Sequence, residues 1–120
     1  MADVRARVRE FALSLPGATE DFPWGERVVK AGGKVFVFLG ADERAGRGRR
    51  MITVKLDESH GHAMSIDGAE RTGYGLGRAG WVNVPLRARG VTLGLLRDLV
   101  EESYRIVAPK RLVTQLDTER

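Results

Sequence analysis

The densest chemical signal in this 120-residue sequence is a group of arginines in a glycine-rich stretch at residues 40–50. Four of the seven residues at positions 44–50 are arginines: Arg44, Arg47, Arg49 and Arg50. A guanidinium group binds phosphate oxygens in a planar, bidentate geometry, so a cluster of this density is typical of a nucleic-acid contact. The alternative is a solvated, charged loop inserted between two strands. The stretch therefore predicts phosphate contacts, and solvation remains the open alternative.

A second basic block covers residues 71–97, where five arginines and no acidic residue occur. Residues 27–55 carry eight basic and two acidic residues, and residues 56–70 between the blocks carry four acidic residues and no Lys or Arg. This asymmetry predicts a basic face. Arg71 and Arg78 are the candidates in the second block. Lys34 and Lys55, on predicted strands, either present charge on an open sheet face or extend from its edge.

Other residue patterns lack the context that catalysis, cofactors or metals require. Residues 75–80 read G-x-G-x-x-G, but a strand follows instead of the helix that a dinucleotide site needs. His60 and His62 are two positions apart on a predicted helix, so they point to different sides. There is no cysteine, which excludes thiol catalysis and cysteine-ligated metals. The sequence therefore predicts no catalytic residue, no metal and no cofactor.

Hydrophobic periodicity predicts one α+β domain over residues 1–120. Gly32-Gly33 predicts a hairpin turn, and residues 34–39 are apolar on both faces, as in a central strand. Asp57 and Thr92 are candidate helix caps. Residues 18–25 and 68–80 are predicted to be irregular. The predicted helices cover 3–15, 58–66, 92–107 and 109–117, and the predicted strands cover 27–31, 34–39, 51–56 and 81–86.

Composition sets the remaining expectations. The hydrophobic fraction is 42% and the charged fraction 30%, which is typical of a folded domain. The N-terminus is charged throughout and does not resemble a signal peptide. No apolar stretch approaches the roughly 18 residues of a membrane span. We therefore expect a cytoplasmic protein without membrane contact, and a monomer by default.

Five segments together resemble the MmcQ/YjbR-like family of small bacterial proteins. They are LPGATEDFPWG (15–25), GKVF (33–36), ITVKL (52–56), GWVNV (80–84) and LRDLVEESYRIV (96–107). The resemblance implies an antiparallel sheet packed against helices, similar to bacterial frataxin, with a "double wing" and a DNA-binding role inferred for the family. The regions near 40–50 and 70–80 correspond to the wings. The matching motif positions, for which the resemblance implies no catalytic role, are Trp24, Lys34, Lys55, Trp81, Ser103 and Tyr104.

Two functions from different classes follow. The leading hypothesis is a non-enzymatic nucleic-acid-binding protein that contacts DNA phosphates with little sequence preference. The alternative is a protein- or small-ligand-interaction module that uses an open sheet face, with Phe36 or Phe38 and Trp81 near a pocket. An enzyme of unknown type is a third possibility. Iron binding of the frataxin kind is disfavoured, because the first helix carries Arg5, Arg7 and Arg9 instead of acidic residues.

Overall fold

A computed structural model describes residues 3–41, 51–73 and 76–119, apart from the side chains of Trp24 and Ala41. These residues form an α+β fold, as predicted. None of the described helices is long and apolar enough to cross a membrane. The elements are α1 (Val4–Ser14), β1 (Ala18–Asp21), β2 (Glu26–Ala31), β3 (Lys34–Ala41), β4 (Met51–Lys55), α2 (His60–Met64), β5 (Glu70–Arg71), β6 (Trp81–Pro85), α3 (Leu93–Val107) and α4 (Lys110–Glu119).

The described strands form one antiparallel sheet in the order β1-β2-β3-β4-β6-β5. Strand β3 lies between β2 and β4, which confirms the prediction that residues 34–39 form a central strand. Helices α1 and α3 pack on one face of the sheet. Buried valines on β3, β4 and β6 (Val37, Val54 and Val82) belong to this core. We call the other side the open face; Val28, Phe38, Thr53 and Asn83 lie there.

The two ends of the sheet differ. At the hairpin end, Gly32-Gly33 joins β2 to β3, and both glycines have positive φ angles (60° and 82°), as a tight hairpin turn requires. Helix α4 covers this end, because Pro109 lies against Gly32 and the buried Leu112 lies against Gly17. At the opposite end, which we call the arginine end, β3 finishes at Ala41, β4 begins at Met51 and β6 finishes at Pro85.

A bulge in β3 connects the sheet to helix α3. Val29 of β2 pairs with Val37, whereas the next residue, Lys30, pairs with Val35, so Phe36 is an extra residue on β3. The Phe36 ring is fully buried and meets the Tyr104 ring edge-on, with centroids 5.2 Å apart.

Ser103 of α3 bridges two backbone groups of this region. Its hydroxyl donates to the carbonyl oxygen of Phe36 at 2.5 Å and accepts from the backbone N–H of Lys55 at 2.9 Å. Ser103 is fully buried, and so is Tyr104, whose hydroxyl donates to the carbonyl oxygen of Pro16 at 2.7 Å. These motif residues therefore hold α3 against the sheet.

The structure differs from the sequence predictions at the edges of the sheet. Strand β1 lies in the predicted irregular link and β5 in the predicted loop, because both are short, mostly polar edge strands without an apolar pattern.

Of the two predicted helix caps, one is wrong. Asp57 does not cap α2, because Ser59 holds the N-cap position. The Thr92 prediction is confirmed, because its hydroxyl accepts from the backbone N–H of Leu95 at 3.0 Å.

Candidate nucleic-acid interface

The register of β4 and β6 places two distant parts of the sequence side by side at the arginine end. Met51, the first residue of β4, lies opposite Pro85, the last residue of β6. The chain enters β4 directly after the arginine-rich stretch, and it leaves β6 toward Arg87 and Arg89. Both of these arginines are exposed. Met51, which follows the arginine-rich stretch, and Pro85, which precedes Arg87 and Arg89, are therefore neighbours at one end of the sheet.

Two helices begin at the same end. A Cβ added at Gly40 would lie 3.7 Å from Nη2 of Arg5, in the first turn of α1, and 3.6 Å from the carbonyl oxygen of Met51. Helix α3 begins at Leu93, shortly after Arg89. A helix N-terminus carries a partial positive charge. That of α3, capped by the uncharged Thr92, adds to the positive charge of Arg87 and Arg89, whereas the Asp3 carboxylate, which caps α1, offsets that of α1.

The four arginines of the first basic stretch, Arg44, Arg47, Arg49 and Arg50, lie outside the described residues. The structure gives the positions at which this stretch joins the sheet, Ala41 and Met51.

Arg71 and Arg78 line a shared cavity of about 470 Å³ with Asp57 and His60. Both arginines are exposed, so the structure brings these two predicted residues together. The cavity also includes Gly80, whose carbonyl oxygen accepts from the N–H of Leu56, the residue after β4. It therefore lies toward the Lys55 end of β4, four residues from Met51, or about 13 Å along the strand.

The two lysines lie away from the arginine end. Lys34 is exposed beside the hairpin turn. Lys55 is half-buried on the open face, where it lies opposite Trp81. The structure therefore brings neither lysine together with Arg87 and Arg89.

The acidic block at 56–70 is divided between two regions. Asp57 and Glu58 lie at the start of α2, whereas Glu70 lies on β5 opposite Asn83. Glu102 of α3 is half-buried, and its carboxylate accepts from the N–H groups of Asp57 and Ser59 at 2.8 and 3.2 Å. Burial alone would raise the pKa of Glu102, but the hydrogen bonds from Ser59 and Asp57 outweigh it and lower the pKa.

Two partly exposed arginines are held by an acidic partner on the edge strand β1. The Glu20 carboxylate of β1 accepts from Arg9 of α1 at 2.5 and 2.9 Å and from Arg27 of β2 at 2.9 Å. The hydrogen bond from Arg9, opposed by burial and supported by Arg27, lowers the pKa of Glu20 to about 2. The Arg27 guanidinium also lies 4.5 Å from the centre of the Phe22 ring, which is largely exposed. Arg9 and Arg27 thus act as structural cations.

The open face contains a pocket of about 380 Å³. Phe38 lines it, and the Phe38 ring meets the buried Trp81 ring edge-on at 5.3 Å. Of the two phenylalanines considered from the sequence, Phe38 is therefore the one at a pocket, and Phe36 is in the core. Thr53, Thr72 and Asn83 provide polar groups to the same lining. No group of acidic and histidine residues that could hold a metal ion occurs within the described ranges.

The family model of YjbR matches residues 13–106, which is most of the chain. The chain belongs to the YjbR family. This confirms the resemblance that the sequence motifs indicated. The match includes β1 to β6 and almost all of α3. It therefore includes the residues of the open-face pocket and the exposed arginines Arg71, Arg78, Arg87 and Arg89. A search of curated proteins finds no match.

Arg87 and Arg89, at the arginine end of this YjbR protein, belong to the second basic block but were not predicted as contact residues. They stand more than 35 positions after the arginine-rich stretch. Only the pairing of Met51 with Pro85 shows that the residues next to these two segments are neighbours. The available signal was the position of Arg87 directly after the strand predicted at 81–86.

Proposed function

We propose that this YjbR protein is a non-enzymatic nucleic-acid-binding protein that contacts the phosphates of duplex DNA from its arginine end. The observation that supports this proposal is the pairing of Met51 with Pro85. Met51 directly follows the arginine-rich stretch in the sequence, and Pro85 shortly precedes Arg87 and Arg89. Arg44, Arg47, Arg49 and Arg50 supply the first group of arginines. Arg87 and Arg89, both exposed, supply the second.

The expected binding mode is electrostatic. Neutralising phosphates with arginine releases condensed counterions, so affinity falls steeply with salt, by a slope of about 0.9 per phosphate contact on double-logarithmic axes. Arg87 and Arg89 lie outside helices and strands. No helix or strand therefore carries them into a groove of the duplex. We therefore expect little sequence preference, since base readout needs side chains fixed against base edges.

Fluorescence anisotropy with a random-sequence duplex over a salt series tests this proposal. We expect R87A/R89A to weaken binding at low salt and to reduce the salt slope by about 2, one contact for each arginine. The four-arginine variant R44A/R47A/R49A/R50A should reduce it by up to about 4. Because Arg87 and Arg89 are exposed, the free energy of unfolding of R87A/R89A should stay within about 0.5 kcal/mol of the wild-type value.

The matched control removes the same charge from the hairpin end. Lys110 and Arg111 are both exposed on α4, so K110A/R111A lowers the net charge by as much as R87A/R89A. A third variant, R71A/R78A, tests whether the cavity lined by Arg71 and Arg78 contributes to binding. Absence of duplex binding at low salt would refute the proposal. So would equal salt slopes for R87A/R89A and K110A/R111A, because net charge alone would then explain binding.

A further inference from the structure

We propose that the open-face pocket binds a nucleobase, supplied either by a single strand or by a free nucleoside. The pocket is lined by one aromatic ring, by a carboxamide held between two hydroxyls and by two carboxylates. This inference rests on the side chains of the pocket and not on the arginine end, so it can fail or succeed separately from duplex binding.

The aromatic part of the site is Phe38. Its ring is half-buried and stands at 71° to the ring of Trp81, which is only 8% exposed. Edge-to-face contact with a buried ring holds Phe38 in one orientation. An aromatic ring fixed in this way stacks on a base at little cost in side-chain entropy, and such stacking contributes about 1–3 kcal/mol per base.

The polar part of the site is Asn83. Its Oδ1 accepts hydrogen bonds from the Thr53 hydroxyl at 2.7 Å and from the Thr72 hydroxyl at 3.1 Å. Because both hydroxyls donate to the oxygen, the amide has one orientation, and its Nδ2 group has two donors. Among the described residues no acceptor is bound to this group, and Asn83 belongs to the lining of the pocket. An asparagine amide presented in this way matches the acceptors on a base edge.

The lining also offers an acceptor for the amino group of a base. Glu26 belongs to the lining. A glutamate carboxylate accepts hydrogen bonds from the amino groups of bases. A volume of about 380 Å³ is near the lower limit for ligand pockets, which suits a base with its sugar.

The location of the pocket allows a strand to use both sites. Gly40 and Met51 belong to its lining, and these residues also mark the arginine end. A base can therefore enter the pocket while the phosphates of the same strand stay on the side of Arg87 and Arg89. Duplex DNA keeps its bases stacked and paired, so only an unpaired base can enter.

The wild-type protein itself offers the cleanest test. The sequence contains one asparagine and one glutamine, so a ¹⁵N–¹H correlation spectrum shows two side-chain amide pairs, Asn83 and Gln115. We would titrate adenosine, guanosine, cytidine and uridine separately. At least one should shift the Asn83 pair in a saturable manner and leave the Gln115 pair, on the exposed side of α4, unchanged. No saturable shift of Asn83 with any nucleoside or with a short single strand would overturn the proposal.

A variant series then assigns the contact. N83D keeps an oxygen for the two threonine hydroxyls but replaces the amide donors, so we expect at least a tenfold loss of nucleoside affinity. Q115E makes the same chemical change on α4 and should bind as the wild type does. F38L, which removes the ring, should also weaken binding. Unchanged affinity in both N83D and F38L would overturn the proposal, and melting temperatures without ligand show which variants are folded.

Comparison of ligands separates the two sources of the base. Shifts with nucleosides alone identify a free nucleoside as the ligand, whereas shifts with an oligothymidine or mixed single strand identify a base within a strand. Wild-type duplex binding is measured in the same buffer. Loss of the duplex signal in R87A/R89A together with an unchanged Asn83 response to nucleosides would show that the two sites are independent.

Discussion

The hairpin end and the arginine end of the same sheet have opposite characters. At the hairpin end, Pro109 and Leu112 cover the glycine turns, and the Tyr104 hydroxyl binds the buried carbonyl of Pro16. At the arginine end, strands finish beside exposed Arg87 and Arg89. The difference teaches that packing contacts are concentrated at one end of this sheet and exposed charge at the other. Substitutions at the hairpin end should therefore change the free energy of unfolding, and substitutions at the arginine end should change duplex binding.

The largest stability effect is expected at Gly32. A Cβ there would lie 2.3 Å from Cγ of Pro109, and the φ angle is already left-handed. Gly32→Ala should cost about 2–4 kcal/mol, from backbone strain and overpacking together. Gly33→Ala has similar strain but no neighbour within 4 Å, so it should cost only about 1–2 kcal/mol. Urea denaturation measures both, and equal losses would show that α4 does not seal the hairpin end.

A smaller effect is expected from Ser103→Ala. This change leaves the Phe36 carbonyl and the Lys55 N–H without their bridging hydroxyl, which should cost about 1–3 kcal/mol. The control is Ser14→Ala, where an exposed hydroxyl binds the carbonyl of Phe11, with an expected cost below about 0.5 kcal/mol. Thermal unfolding of both variants checks this. Duplex binding should not change, and a loss of binding in folded Ser103→Ala would break the separation of the two ends.

The smallest effect concerns Glu20 and depends on pH. The pKa of Glu20 falls from its usual 4.5 to about 2 in the folded protein, so its ion pairs stabilise the fold fully above about pH 4.5. That contribution is lost as the pH falls toward 2. Glu20→Gln should cost about 1 kcal/mol or less at pH 7, because the carboxylate is partly exposed.

The test is a comparison of unfolding midpoints at pH 7, 4 and 2.5. The difference between wild type and Glu20→Gln should shrink as the pH falls, whereas exposed Glu58→Gln should show little difference at pH 7. A constant difference across this range would mean that Arg9 and Arg27 are not held by the charge of Glu20. Arg9 and Arg27 would then be available to contact phosphate, as the exposed arginines are. The distinction between structural and exposed arginines would no longer hold.

The elements that the sequence predicted well are those with a strong apolar pattern. Helices α1 and α3 and strands β2, β3, β4 and β6 lie within a few residues of their predicted bounds. Strands β1 and β5 were missed because their main contribution to the sheet is backbone pairing at an edge. A polar edge strand leaves no hydrophobic periodicity for a sequence to show.

The candidate site was predicted in part. The sequence identified Phe36 or Phe38, with Trp81, as open-face residues near a pocket, and only Phe38 lines one. It also grouped Arg71 with Arg78. It did not predict that Asn83 would lie between Thr53 and Thr72, because these residues come from three separate segments. The neighbouring positions of Met51 and Pro85 were equally inaccessible, since strand order and register arise from long-range pairing.

The sequence by itself determined the α+β class, the family and the positions of the arginines, because composition, periodicity and local motifs are properties of neighbouring residues. Only the tertiary structure decided which arginines share a location and which are held by carboxylates. It also decided that Phe36 faces the core while Phe38 faces a pocket, because one extra residue in β3 changes the side to which the ring points.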